Sequence, residues 1–124
     1  MQFPQWITVI APQKHFSINS VFRNVPNITD KLKTEIEMME RHLQLLDIIR
    51  REGPIGIIKL SEKTGLEQHK VRYSLRLLEK DGLIKPTSEG AMVTSKTEEF
   101  INNLRDMLKE MLKKLENIYN KAPR

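Results

Sequence analysis

The stretch EQHKVRYSLRLLEKDGLI, Glu67 to Ile84, limits the fold more than any other part of the chain. Val71, Leu75 and Leu78 fall at i, i+4 and i+7, one face of a 3.6-residue period, so a helix here must bury that face. Once it does, Gln68, His69, Arg72, Tyr73 and Arg76 lie on the side the core cannot use, with Lys70 and Lys80 flanking them. Gly82 can end the helix with a left-handed residue. The preceding residues are as restrictive: IKLSEKT (Ile58–Thr64) has the length of a short helix, and Gly65 supplies the backbone freedom for a tight turn between the two. Ser61, midway along the first helix, is small enough for the second to cross closely, and Leu60 and Leu66 join Val71, Leu75 and Leu78 in a shared core.

Beyond Gly82, LIKPT and AMVTS have strand-like content and SEG offers a reversal at Gly90, so Asp81–Ser95 reads as a β-hairpin. Two helices joined by a turn and followed by a hairpin make a winged helix-turn-helix. The expected fold class is therefore mainly α with a small β-hairpin wing (α+β), the recognition helix spanning about 67–81 and the wing about 82–95.

Long helices flank this centre. In residues 29–52, Leu32, Ile36, Met39, Leu43 and Leu46 recur at alternating steps of four and three, which predicts one apolar stripe. Thr29 or Asp30 is the candidate cap, and Gly53-Pro54 ends the helix. In residues 97–124, Ile101, Leu104, Leu108, Met111, Leu115 and Ile118 repeat the spacing, and Ser95 with Glu98 forms an S-x-x-E capping box. Phe100, Met107, Leu112 and Tyr119 widen this stripe beyond a two-stranded seam. A single helix cannot hide such a face, so it either folds back on helix 30–51, pairs with its copy in a homodimer, or does both. Residues 1–28 hold Phe3, Trp6, Phe16 and Phe22, four of the seven aromatics, around a short strand, WITVI. This segment is expected to pack on the body or on a partner subunit, including by exchange between subunits. The expected domains are thus 1–28, 29–52, 53–96 and 97–124.

The net charge of +5 is distributed unevenly: residues 54–96 carry eight positive and five negative side chains, whereas 29–53 are net negative. The excess therefore coincides with the helix-turn-helix, which favours a polyanionic partner. Arg can grip guanine edges or phosphates through two bonds, Gln can pair with adenine, and Tyr and His can bond phosphate or stack. Gln68, His69, Lys70, Arg72, Tyr73, Arg76 and Lys80, with Lys85 on the wing, are the candidate DNA contacts; Ile101, Leu104, Leu108, Met111, Leu115 and Ile118 are the candidate dimer contacts. The chain has no cysteine, which excludes disulfides and thiol chemistry. His15, His42 and His69 stand 27 residues apart, without metal-ligand spacing. No nucleophile triad, phosphate loop or G-x-G-x-x-G occurs, so neither an enzyme nor a bound cofactor is expected. No apolar run approaches the ~18 residues of a membrane span and no secretion signal opens the chain, so the expected location is cytoplasmic.

LSEKTGL, VRYSLRLLEKDGLI and VTS together resemble winged-helix regulators of the MarR/ArsR kind, especially small archaeal predicted transcriptional regulators. In those, the recognition helix ends in Leu-Glu-x-x-Gly-Leu-Ile and the wing ends in a Val-Thr step. The resemblance covers about residues 53–96 and implies that Arg72, Tyr73 and Arg76 face the DNA groove and that the wing tip lies near the minor groove. Glu89 stands at the tip and Glu67 at the start of the recognition helix, where acids weaken phosphate binding. The reading that follows is a sequence-specific regulator of double-stranded DNA, acting as a homodimer. A winged helix serving as a protein-interaction module is the alternative, and residues 1–28 leave open whether a small-molecule effector is sensed.

Overall fold

A computed structural model describes residues 27–124. The predicted strand at Trp6–Ile10 and the packing of the N-terminal aromatics lie outside the described residues. The elements run α1 (Ile28–Glu52), α2 (Ile57–Thr64), α3 (Gln68–Lys80), β1 (Ile84–Thr87), β2 (Gly90–Val93) and α4 (Lys96–Lys121). This is the mainly helical α+β winged-helix layout expected from the sequence. The described residues fall into two units, the first ending at Glu40 and the second running Arg41–Arg124.

In the first unit, the start of α1 is capped by a residue the sequence reading passed over. Asn27 Oδ1 accepts the Asp30 backbone N–H at 2.8 Å and the Thr29 hydroxyl at 2.7 Å. Thr29 and Asp30 thus fall within the first turn, two and three residues after the cap, and Asn serves because its short side chain reaches the orphan amide. Leu32, Ile36 and Met39 are exposed.

The second unit holds the core. Leu45, Leu46, Ile48 and Ile49 of α1 are buried, with Ile55, Leu60 of α2, Val71 and Leu78 of α3, and Leu83, Ile84 and Ala91 of the wing. The predicted stripe along α1 is met only at Leu46, while Leu43 is half-buried. The last two turns are enclosed on two adjacent sides, so the buried positions come as neighbouring pairs rather than a single row.

Gly65 closes α2 in the left-handed conformation at φ 76° and donates to the Ser61 carbonyl. The Ser61 hydroxyl donates to the Leu66 carbonyl at 2.5 Å, and Thr64 Oγ1 donates to the Leu60 carbonyl and accepts from the Leu66 N–H. Ser61 is therefore more than a small residue at a crossing: with Thr64 it ties the turn that sets the angle between α2 and α3. Lys63 Nζ meets Glu52 Oε1 at 2.9 Å, and this ammonium holds the exposed Glu52 carboxyl below the usual carboxylate range. Such a lowered value favours folding above the ordinary carboxylate range, a contribution lost as pH falls through it.

The wing is antiparallel, with Ile84 opposite Val93 and Thr87 opposite Gly90. Ile55 adds a third strand position, exchanging hydrogen bonds with Ala91 at 3.1 and 2.8 Å. Nothing in the apolar IGI piece signals this pairing, because one residue carries no period. At the wing's base, Thr94 Oγ1 donates to the Gly82 carbonyl and the fully buried Thr97 hydroxyl donates to the Leu83 carbonyl, at 2.5 and 2.6 Å. The expected capping box at Ser95 and Glu98 is not formed. Ser95 has helical backbone angles and no side-chain cap bond; Thr94 Oγ1 accepts the Lys96 N–H, and Glu98 faces Arg50 at 3.7 Å. Thr94 sits outside the helix turn, as a cap must, whereas Ser95 is already within it.

Candidate nucleic-acid interface

The buried row of α3 consists of Val71, Ser74 and Leu78, with Leu75 packed beside it. Gln68, Arg72, Arg76 and Lys80 then follow one another at i, i+4, i+8 and i+12, a single ridge along the open side. All four are exposed, as are His69, Lys70 and Tyr73, and so is Lys85 on β1. The structure therefore leaves all eight predicted contact residues accessible. Their surroundings separate them into groups.

Arg72, Arg76 and Lys80 have no acidic partner within ion-pair distance among the described residues. Unneutralised guanidiniums on a rigid helix suit phosphate or guanine edges, since no internal bond must break first. By contrast, Glu67 lies 3.7 Å from His69 and 3.9 Å from Lys70, so the helix's first turn is partly neutralised. Tyr73 leans toward α1: its ring lies 6.0 Å from the Arg41 guanidinium and 6.5 Å from the His42 ring.

Below that ring is a polar contact invisible in the sequence. Ser74 is fully buried, accepts from Arg41 Nε at 2.9 Å and lies 2.8 Å from His42 Nδ1. It joins residues 33 positions apart and anchors the recognition helix to α1. The core row expected from periodicity, Val71, Leu75 and Leu78, does not include Ser74, and no local pattern supplies its partner. Ser74→Ala should cost about 1–3 kcal/mol, because the half-buried Arg41 N–H loses its acceptor. A urea midpoint unchanged from wild type would show that the anchor contributes nothing.

Two concavities meet at Arg72. One lies between α3, Ile55 and the wing and has a volume of about 380 Å³. The other, between α2 and α3, is lined by residues including Ile58, Lys59, Glu62 and Gln68. Lys59 and Arg41 are thus basic neighbours of the face that the sequence reading missed. Lys59 was detectable as a cation on the first helix of the pair; Arg41, distant along the chain, was not. Among the described residues, no group of three His, Cys, Asp or Glu gathers where a metal ion could be held, and no helix is long and apolar enough to cross a membrane.

The predicted dimer residues lie on α4. Ile101 and Leu104 are half-buried, and Leu108, Met111, Leu115 and Ile118 are exposed, as are Met107, Leu112 and Tyr119. Within residues 41–124 the C-terminal half of this stripe is therefore left open.

None of the curated proteins compared with the chain matches it. Among solved structures, the activation domain of the phage T4 transcription factor MotA is similar, with a TM-score of 0.50 and 22% sequence identity. The match covers 61% of this chain and 82% of that one, and at such identity it speaks for the shared fold alone. The model of the family described as the CggR N-terminal DNA binding domain matches residues 38–108, the span from within α1 through the helix-turn-helix and wing into α4. More than half of the chain fits that model, over the very elements that carry the basic ridge, and the chain therefore belongs to the CggR N-terminal DNA binding domain family.

Proposed function

We propose that this chain is a sequence-specific regulator of double-stranded DNA that binds as a homodimer, with α3 in the major groove and the wing on the backbone or minor groove. The observation that carries this reading is the exposed ridge Gln68, Arg72, Arg76 and Lys80, whose cations have no ion-pair partner among the described residues, on the recognition helix of a DNA-binding family. Bases are read from the helix's N-terminal and central positions, which assigns Gln68, Arg72 and Arg76 to base edges. Lys80, Lys70 and Lys85, farther out, suit phosphates, as does His69 when it leaves Glu67. Tyr73, shared with Arg41 and His42, buttresses the helix and presents its hydroxyl to the backbone. The resemblance of LEKDGLI to MarR/ArsR-like regulators of the small archaeal type supports the same docking, and a DNA partner would place the protein in the compartment that holds the genome.

Dimerisation rests on the exposed face of α4. Aliphatic side chains at Leu108, Met111, Leu115 and Ile118, spaced in a heptad pattern, suit an identical helix as partner. Two recognition helices held this way would meet half-sites about 34 Å apart on one face of the duplex.

A mobility-shift titration over a range of salt tests this reading. Affinity should fall steeply as salt rises, because each neutralised phosphate releases counterions. Arg72→Ala should cost about 1–3 kcal/mol on the preferred site and relax the choice of sequence. Lys80→Ala should weaken all sequences alike and flatten the salt slope by about one charge. A flat salt response, or no shift by the wild-type chain, would instead favour a winged helix that binds protein.

A further inference from the structure

We infer that Arg41, a cation on α1 and outside the helix-turn-helix, binds one phosphodiester of the DNA backbone beside Tyr73. The inference rests on the DNA-binding reading and deepens it, because it adds a second element to the interface. Arg41 is half-buried, yet no carboxylate lies within ion-pair distance of it among the described residues. Taking a guanidinium partly out of water without an opposite charge is unfavourable, so the group is set up for an anion that arrives from outside.

Its fork is held in advance. Nε donates to the buried Ser74 hydroxyl at 2.9 Å, and the guanidinium carbon lies 6.0 Å from the centre of the Tyr73 ring. With Nε engaged, the N–H groups of the two terminal nitrogens remain for a planar pair of acceptor oxygens, which a phosphodiester supplies. Tyr73 is 41% exposed on α3, so its ring brings Arg41 to the edge of the face that carries Arg72 and Arg76. A base edge does not fit the same group, because a side chain tethered through Nε cannot extend into a groove. One hydroxyl thus sets both the seat of α3 on α1 and the aim of the cation. A phosphate taken by Arg41 would therefore tie the DNA backbone to the register of the reading helix.

The test measures binding of the full chain to mixed-sequence duplex DNA by fluorescence anisotropy over a range of salt, with Arg41→Gln and Arg41→Lys beside the wild type. Both variants lose the Nε bond to Ser74, so a purely structural role would affect them alike. A phosphate contact separates them: Arg41→Gln should lower the slope of log affinity against log salt by about one charge, whereas Arg41→Lys should keep the wild-type slope. The advantage of the wild type over Arg41→Gln should then widen about three-fold as salt is lowered from about 200 to about 50 mM. A second measurement needs no variant to fold: the Arg41 Nε–H resonance of the wild type should shift saturably as the duplex is added. Equal slopes in the two variants, or a resonance unmoved by saturating DNA, would overturn the role. Steep salt dependence in the wild type combined with either of those results defeats the Arg41 contact alone. No DNA binding by the wild type at any salt defeats the DNA reading and this contact together.

Discussion

Gly90→Ala should destabilise the folded chain by about 3 kcal/mol or more. Gly90 has φ of 129°, and a Cβ there would lie 2.4 Å from the carbonyl carbon of Ile55 and 2.7 Å from the Gly56 nitrogen. Those atoms are backbone and cannot swing aside. The pairing of Ile55 with Ala91 would have to open, releasing the linker before α2 from the wing. Two other glycines serve as internal controls. Gly65 also has positive φ, but its Cβ would meet open space, so Gly65→Ala should cost only the conformational penalty of about 1–2 kcal/mol. At Gly56, with φ of −91° and open space, alanine should change stability by no more than about 0.5 kcal/mol. Urea unfolding of the three variants should rank them in that order. Equal midpoints for Gly90→Ala and Gly56→Ala would mean that the bridge at Ile55 does not form.

The second large effect concerns α4. Leu115→Glu should weaken the proposed dimer by about a hundred-fold or more, because it puts a carboxylate where an apolar contact would form. Light scattering should show wild type at twice the mass of the variant at micromolar concentration. Binding to a two-half-site operator should fall with it, since the second half-site no longer benefits from being tethered. The position tolerates a charge in the single chain, being 38% exposed, so the variant should keep the wild-type fold and its affinity for a lone half-site. A monomeric wild type, or a variant of unchanged mass, would remove α4 pairing from the model of function.

The match to a DNA-binding domain family and the sorting of charge on α3 support one another through different physics. The family match concerns the whole span 38–108, much of which is core. The ridge of Gln68, Arg72, Arg76 and Lys80 concerns only what the core leaves over. Acids at Glu67 and Glu89 bracket that ridge at the helix start and the wing tip, and both are exposed. In the proposed DNA complex they would reduce the purely electrostatic part of binding, so a larger share of affinity would come from base contacts. Such an arrangement favours specificity over general attraction.

Periodicity alone determined that residues 68–80 form a helix with Val71, Leu75 and Leu78 inward and the cations outward, because a 3.6-residue repeat assigns faces without any partner. Glycine placement determined the turn at Gly65, the helix end at Gly82 and the reversal beside Gly90, because those backbone angles exclude most other residues. The tertiary structure decided what depends on a second segment: the burial of Leu45, Leu46, Ile48 and Ile49 as pairs, the Ile55–Ala91 bridge, the Thr94 cap in place of Ser95, and the Ser74 anchor to Arg41 and His42. It also decided that Arg72 borders two concavities and that Tyr73 leans toward α1. A local pattern can say which way a side chain points, but what it meets there depends on residues brought close by folding and distant along the chain.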